Sequence, residues 1–177
     1  MEDKQILQLA TSFPPIVGTM PKILILGSMP GMESLKQQRY YAHPRNAFWP
    51  IITSLYGHSE RLDYSKRCEL LRQKQIAVWD VLKSCYRPGS LDQNIETQSM
   101  IANDFVAFLQ LHPSITQIFF NGGKAEQVFK RYVAKKLETA EISLFYLRLP
   151  STSPAHAAMN YETKQQLWHQ ALAPPIG

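Results

Sequence analysis

The segment formed by residues 40–52, YYAHPRNAFWPII, concentrates side chains that bind ligands or take part in reactions. Aromatic rings commonly present a face to a ligand, and the amide of Asn46 can hold a water molecule. A surface loop has little use for so many aromatic residues, and a core strand would not contain His-Pro-Arg-Asn. We therefore expect this segment to bind a ligand, whereas Phe48 and Trp49, on the helix that follows, are assigned to the core.

Four short apolar runs are predicted to be strands, and they alternate with segments of helical pattern. The strands are residues 22–26, 76–81, 115–120 and 143–149. The first predicted helix starts at Asn46 or Pro44 and ends near Tyr56. The other four cover residues 65–74, the sequence FVAFLQL after a cap at Asn103 or Asp104, residues 124–137, and Tyr161–Leu172. Because the strands are apolar throughout, we expect the α/β class, a three-layer α/β/α domain with a central parallel four-stranded sheet.

Polar loops follow these strands, and in a parallel sheet ligands bind at the carboxyl ends of the strands. The loops are GSMPG (27–31), WDVLKSCYRPG (79–89), NGGK (121–124) and LPSTSPAHA (149–157). We expect them to meet and form one site, with the aromatic segment extending from the first loop.

The composition favours one soluble domain over residues 1–177, with an N-terminal extension of about residues 1–20. The net charge of +5 suits a polyanionic partner, although many basic proteins bind no nucleic acid. Two cysteines and five scattered histidines give no ligand pattern, so no metal or cofactor is expected. With no apolar run of membrane-span length and no signal-peptide pattern, we expect a cytoplasmic monomer without a membrane partner.

Three stretches resemble motifs of the uracil-DNA glycosylase superfamily. GSMPG resembles its G-x-x-P loop, and LPSTSPAHA resembles its Pro-Ser loop, which enters the DNA minor groove. YAHPRNAFWPII is similar to the A-H-P-x-N-x-F-W stretch of the mismatch-specific uracil/thymine branch. Together with WDVLKSCYRPGSLDQNI, the ordered set most resembles the hypoxanthine-DNA glycosylases, over about residues 21–172. This resemblance implies an enzyme that flips a deaminated base out of DNA and hydrolyses its N-glycosidic bond, which initiates base excision repair.

Met29 departs from the pattern of the superfamily. The best-known uracil enzymes have Asp or Asn there to hold the attacking water, which a thioether cannot do. The resemblance to the hypoxanthine branch implies that Asn46 takes this role instead. An amide suffices for a dissociative transition state, which mainly needs a held water and stabilised charge. From the residues alone, without the resemblance, the preferred interpretation of Asn46 is a helix N-cap.

Recognition of the flipped base is assigned to Tyr41 and Asp80. Tyr41 lies where the resemblance implies a stacking aromatic ring, and Asp80 ends the strand that carries a base-reading Asn in the uracil enzymes. A carboxylate there would accept a hydrogen bond from N1–H of hypoxanthine and repel N1 of adenine. The alternative is that Asp80 caps a turn or pairs with Arg87.

The remaining predicted site residues hold the leaving base or the DNA. His43 would donate to the base or to a phosphate, and the base pocket would include Gly27, Ser28 and Met29. The expected DNA contacts are Pro30, Gly31, Lys124, Ser151, Thr152, Ser153, Pro154, Ala155 and His156. Among these, the gap left by the flipped base would be filled by Thr152, Pro154, Ala155 and His156.

No lysine occupies a motif position for a Schiff base, so we expect a monofunctional enzyme that leaves an abasic site. Two alternatives stay open: a uracil/thymine mismatch glycosylase, which Met29 disfavours, and a catalytically silent module that binds DNA lesions or nucleotides. A generic nucleotide-binding domain is disfavoured because GSMPG lacks both the P-loop lysine and the dinucleotide glycine fingerprint.

Overall fold

The computed structural model describes residues 9–58 and 61–173. Its strands are β1 (Leu9–Thr11), β2 (Ile23–Gly27), β3 (Ile76–Asp80), β4 (Leu82–Tyr86), β5 (Ile101–Ala102), β6 (Gln117–Asn121) and β7 (Phe145–Leu149). Its α-helices are α1 (Met32–Gln37), α2 (Phe48–Leu55), α3 (Tyr64–Gln73), α4 (Phe105–Leu111), α5 (Gly123–Tyr132), α6 (Ala134–Thr139) and α7 (Tyr161–Leu172). None of the helices in these ranges is long and apolar enough to cross a membrane.

The main sheet has four parallel strands, as predicted, and their order is β3-β2-β6-β7. The central strand β2 is apolar throughout, and Leu24, Ile25 and Leu26 are fully buried. One face of the sheet is covered by side chains of α2, α3 and α7, and the other by α4, α5 and α6. The predicted three-layer α/β/α architecture is therefore confirmed.

A second, antiparallel sheet of three strands, in the order β1-β4-β5, was not predicted. Only Val81 separates β3 from β4, so one stretch of chain passes directly from the main sheet into the small one. The sequence LKSCY of β4 alternates imperfectly between buried and exposed positions, which made it resemble a loop.

The expected N-terminal extension of about residues 1–20 is described by the structure from Leu9 onward. From Leu9 onward the chain packs into the domain, with Ala10, Phe13 and Ile16 buried. Ile16 forms an antiparallel bridge with Val78 of the main sheet. These apolar side chains belong to the core, so the domain begins no later than Leu9.

The helices differ from expectation at two places. Helix α1 begins at Met32, directly after the GSMPG loop, and was not predicted. Residues 124–137 were predicted to form one helix, but the chain breaks at Val133, which is buried and separates α5 from α6. Of the two candidate caps for α4, Asp104 is the one that accepts a hydrogen bond, from the Ala107 N–H at 3.1 Å.

Candidate active site

The carboxyl ends of the four parallel strands place four residues side by side. Their order across the sheet is Asp80, Gly27, Asn121 and Leu149, with Gly27 paired to Asp80 and Asn121 paired to Leu149 in the register. We call this set the strand-end row. It brings together parts of the chain that lie far apart in the sequence, as a site at the carboxyl edge of a parallel sheet requires.

Gly27 is the point in the row where two polar side chains converge. A Cβ at this position would lie 2.6 Å from Oδ1 of Asp80 and 3.2 Å from the hydroxyl of Tyr41. Any side chain would therefore collide with the Asp80 carboxyl group. Glycine is required here because its lack of a side chain permits a close approach to the backbone.

Asp80 is 3% exposed, and its Oδ2 atom has no hydrogen-bond partner among the described residues. Burial above all, together with the neighbouring Asp92, raises the pKa of its carboxyl group to about 7, although Arg87 partly opposes the shift. The alternative pairing with Arg87 is not formed, because the Arg87 guanidinium donates to the carbonyl oxygens of Gly89 and Pro30. A buried carboxyl group that is half ionised near neutral pH is a frequent feature of functional sites.

Tyr41 packs its ring on Phe48, with centroids 4.0 Å apart and planes at 26°. Its backbone has a φ of +53°, a left-handed conformation that is rare for a bulky residue. Its hydroxyl is buried beside Gly27 without a partner of hydrogen-bonding geometry in the described chain. Burial and the Asp80 charge raise its pKa, although the nearby Asn121 amide lowers it in part. The predicted stacking face stays a prediction for the side opposite Phe48.

Asn46 lies two residues before α2, ahead of the N-cap position Ala47, and its side chain caps the first N–H of the helix locally. Its Oδ1 accepts from the Phe48 N–H at 3.0 Å, and its own N–H donates to the His43 carbonyl at 2.9 Å. His43 is exposed, and its Nδ1 accepts from the Arg45 N–H at 3.1 Å. These bonds fix the orientation of the amide, while the roles of Asn46 and His43 toward a substrate stay predictions.

The Pro-Ser loop, residues 149–157, is tied to the row through Thr152. Thr152 is 1% exposed, its N–H donates to Oδ1 of Asn121, and its hydroxyl accepts from Nδ2 of Asn121, both at 2.9 Å. Its carbonyl oxygen accepts from the Ala47 N–H at 3.0 Å, which joins this loop to the start of α2. Thr152 is therefore held on three sides by the protein, and its expected place in the gap left by the flipped base stays a prediction.

The tip of the same loop is free to meet a large ligand. Ala155 and His156 are exposed, whereas Ser151, Ser153 and Pro154 are half-buried. Lys164 of α7 is buried beneath the tip, and its Nζ donates to the His156 carbonyl at 2.8 Å. Sequence reasoning missed Lys164, because an isolated lysine on a helix usually faces solvent.

The first-motif loop, residues 27–31, is held by residues that follow β4. The Ser28 hydroxyl donates to Oδ1 of Asp92 at 2.7 Å, and the Met32 N–H donates to the Ser90 hydroxyl at 2.7 Å. Met29 packs into the core, which leaves its backbone as the part that can face a base. Pro30 and Gly31 lie in the same loop, with Pro30 bound through its carbonyl.

Lys124 is half-buried in the first turn of α5. Burial raises the pKa of the Asp92 carboxyl group, and the Ser28 hydrogen bond and the charges of Arg87 and Lys124 only partly oppose this shift. Gly122 precedes α5 with a φ of +94°, and a Cβ there would lie 3.0 Å from the Cβ of Ser151. The NGGK turn therefore packs directly against the Pro-Ser loop. The expected convergence of the four loops is thus observed around the strand-end row.

No group of three or more His, Cys, Asp or Glu residues in ranges 9–58 and 61–173 is arranged to hold a metal ion. Cys68 and Cys85 are both buried free thiols. The groups available for chemistry are therefore a buried carboxyl, a buried phenol, a fixed amide and an exposed imidazole.

Comparisons with known proteins agree with this architecture. Over residues 14–173 the chain matches the family described as the Uracil DNA glycosylase superfamily. Two curated relatives, from Methanosarcina barkeri and Methanosarcina acetivorans, are both named hypoxanthine DNA glycosylase. They are 36% and 37% identical to this chain, respectively, over 114 aligned residues. Each alignment covers 64% of this chain and 71% of the relative.

A solved structure shares the fold. It is the solution NMR structure of a protein from Methanosarcina acetivorans, provisionally named a uracil DNA glycosylase, with a TM-score of 0.74 and 30% sequence identity. The match covers 93% of this chain and 99% of that one. The chain belongs to the uracil-DNA glycosylase superfamily. The predictions of its fold, of an enzyme that hydrolyses N-glycosidic bonds and of DNA as its substrate are thereby confirmed.

Proposed function

We propose that this protein is a monofunctional, monomeric DNA glycosylase that excises hypoxanthine, the deamination product of adenine, from DNA. The observation that carries the proposal is the carboxyl group of Asp80, buried at the end of β3 with Oδ2 unpartnered. Such a group is costly to bury, so its presence beside Gly27 indicates a ligand that supplies the missing hydrogen bond. Both curated relatives carry hypoxanthine in their names.

The chemistry of the base edge explains why a carboxylate would select hypoxanthine. Hypoxanthine presents N1–H, a donor, whereas adenine presents an unprotonated N1 with a lone pair. The ionised Asp80 accepts from the first and repels the second, and away from water this mismatch is severe. Normal adenine, which is far more abundant in DNA, is thereby rejected.

Asn46 is proposed to hold the attacking water at C1′. A carbonyl-type oxygen has two lone pairs, so Oδ1 can accept from both the Phe48 N–H and a water, while Nδ2 remains a donor. The cap fixes the amide before the substrate binds, and such preorganisation is what a dissociative transition state needs. The cap and the water-holding role are therefore compatible.

The surrounding loops are proposed to grip the DNA. His43 and Lys124 supply a donor and a charge, and Ser151 and Ser153 supply hydroxyls and backbone N–H groups for phosphates. The exposed Ala155 and His156 are placed at the tip that would occupy the gap left by the flipped base. Pro154, half-buried beside them, would support this wedge.

The test is single-turnover release of base from labelled duplexes containing deoxyinosine, deoxyuridine or only normal bases. The wild type is compared with Asn46→Ala, which removes cap and amide, and with Asn46→Ser, whose hydroxyl keeps an acceptor for the Phe48 N–H. We expect release of hypoxanthine alone, an intact strand until alkali is added, and loss of release in both variants with inosine DNA still bound.

Other results would contradict the proposal in distinct ways. Release of uracil but not hypoxanthine would make the enzyme a uracil glycosylase, and binding without release would make it a silent module. Full activity of Asn46→Ser would reduce Asn46 to a structural cap.

A further inference from the structure

Two adjacent tyrosines have opposite surroundings. The Tyr40 hydroxyl is satisfied by the protein, because it donates to the carbonyl oxygens of Pro14 at 2.8 Å and Phe13 at 3.3 Å. The Tyr41 hydroxyl is buried as well, but it finds no partner of hydrogen-bonding geometry in residues 9–58 and 61–173. A buried hydroxyl in that state is costly, and a ligand that completes it removes the cost.

The Tyr41 hydroxyl is also directed to a particular place. It lies 3.2 Å from the Cβ position of Gly27, the same point that Oδ1 of Asp80 approaches to 2.6 Å. A donor and an acceptor therefore face one small region at the end of β2. In hypoxanthine, the carbonyl oxygen O6 and the N1–H group are attached to neighbouring ring atoms, so the base offers the complementary pair.

The backbone holds Tyr41 in this orientation against its own preference. Its φ of +53° is unfavourable for a bulky side chain, and such strain is retained where the surrounding structure enforces it, often at functional sites. Phe48 covers one face of the ring at 4.0 Å, and Ala42 is fixed by the Ser34 hydroxyl at 3.1 Å. The ring is thus clamped with its hydroxyl toward Gly27.

We propose that the Tyr41 hydroxyl donates a hydrogen bond to O6 of the flipped hypoxanthine, beside the N1–H contact at Asp80. This inference rests on the proposed function and extends it, since it gives Tyr41 an edge contact in place of a stacking face. Burial also raises the pKa of Tyr41, which keeps its hydroxyl protonated and able to donate. As the base leaves, negative charge spreads to O6, so the same bond strengthens in the transition state.

The two contacts have different consequences for selectivity. Asp80 distinguishes hypoxanthine from adenine at N1. The Tyr41 hydroxyl can accept a hydrogen bond as well as donate one. It therefore raises the rate of base release but does not discriminate against the adenine amino group.

Tyr41→Phe separates the two roles of the ring, because phenylalanine keeps the aromatic face and loses only the hydroxyl. The matched control is Tyr40→Phe, the same change one residue earlier. The readouts are the single-turnover rate on inosine DNA at saturating enzyme, the affinity for duplex that contains an abasic site, and the Tm. The abasic duplex has no base for the pocket, so its affinity measures only the contacts of the protein with the rest of the DNA.

We expect Tyr41→Phe to lower the rate by about ten- to a hundredfold, with unchanged affinity for abasic DNA and an unchanged or higher Tm. Tyr40→Phe should lower the Tm and leave the rate unchanged. A wild-type rate in Tyr41→Phe would overturn the inference and leave stacking as the role of the ring. A parallel loss of abasic-DNA affinity would also overturn it, by making the hydroxyl structural. If the wild type itself releases no hypoxanthine, the proposed function fails first and this inference falls with it.

Discussion

Asn121 and Thr152 are joined by two hydrogen bonds of 2.9 Å, one in each direction between the Asn121 amide and the backbone and side chain of Thr152. This pair fastens the Pro-Ser loop to the end of β6. The carbonyl oxygen of Thr152 also accepts a hydrogen bond from the Ala47 N–H, so Thr152 holds the start of α2 as well. One amide side chain therefore sets the spacing between the base site and the segment that carries Asn46.

Asn121→Ala should both destabilise the protein and slow base release. It leaves the Thr152 N–H and hydroxyl without partners in a buried place, which costs about 1–3 kcal/mol. Urea unfolding measures the first effect, and single-turnover release measures the second. The control is Asn160→Ala, which removes the α7 cap that accepts from the Thr163 N–H, and should cost about 1 kcal/mol without slowing release. Equal slowing by both variants would contradict a specific role for Asn121.

Asp80→Asn should stabilise the protein at pH 8 and have little effect at about pH 4 or below. Burial raises the Asp80 pKa from the ordinary 3.8 to about 7, so the folded state binds the proton more tightly than the unfolded chain. The wild type therefore loses stability as the pH rises from about 4 to about 7, and the neutral Asn variant avoids this loss. Since one pKa unit corresponds to about 1.4 kcal/mol, the gain at pH 8 is on the order of 2–4 kcal/mol.

Thermal unfolding of both proteins across this pH range measures the difference. A variant that is less stable than the wild type at every pH would show that Asp80 is structurally satisfied, which contradicts its unpartnered Oδ2.

The rate of hypoxanthine release should rise through about pH 7 with the loss of one proton. The ionised Asp80 accepts from N1–H, whereas the protonated form populated below its pKa is a poorer acceptor. Single-turnover rates at subsaturating enzyme, between pH 5.5 and 8.5, give the profile of the free enzyme. In Asp80→Asn the step should vanish along with most of the rate. If the variant keeps the same step, another group is titrating.

Lys164→Met should weaken DNA binding more than it slows hydrolysis. The buried Nζ donates to the His156 carbonyl at 2.8 Å and holds the tip of the Pro-Ser loop, while Thr152 remains fixed by Asn121. We expect about a tenfold higher Kd for abasic duplex and a nearly unchanged rate at saturation. Lys130→Met removes an exposed lysine that pairs with Glu126, and controls for lost charge. If both variants weaken DNA binding equally, the effect comes from the loss of one positive charge alone.

Much of the site was predictable because its residues end apolar strands. Asp80 follows a run of buried residues, so its place at the carboxyl edge follows from the strand itself. Asn121 also ends a strand, but the sequence NGG that it opens is typical of a turn, which concealed its hydrogen bonds to Thr152. The aromatic segment was predicted as a ligand site and Tyr41 was singled out by the family resemblance, but only the structure shows that the Tyr40 hydroxyl has protein partners whereas the Tyr41 hydroxyl has none of hydrogen-bonding geometry among the described residues.

Other parts of the site depend on long-range contacts that local patterns do not encode. The Ser28–Asp92 hydrogen bond spans 64 residues, and nothing near Asp92 in the sequence indicates its partner. The burial of Lys164 depends on how the Pro-Ser loop folds over α7. Strand β4 was missed because it lies directly after β3 and leaves the main sheet, so no turn separates the two.

The strand-end row also has a consequence for the order in which the protein becomes competent during synthesis. Its members lie at positions 27, 80, 121 and 149, and the Pro-Ser loop is fastened to the row through Thr152. A nascent chain that ends before residue 145 lacks β7, so β6 would be an unprotected sheet edge carrying the apolar Phe119 and Phe120. The strand-end row therefore stays incomplete, and β6 remains an aggregation-prone edge, until residues 145–152 have been synthesised.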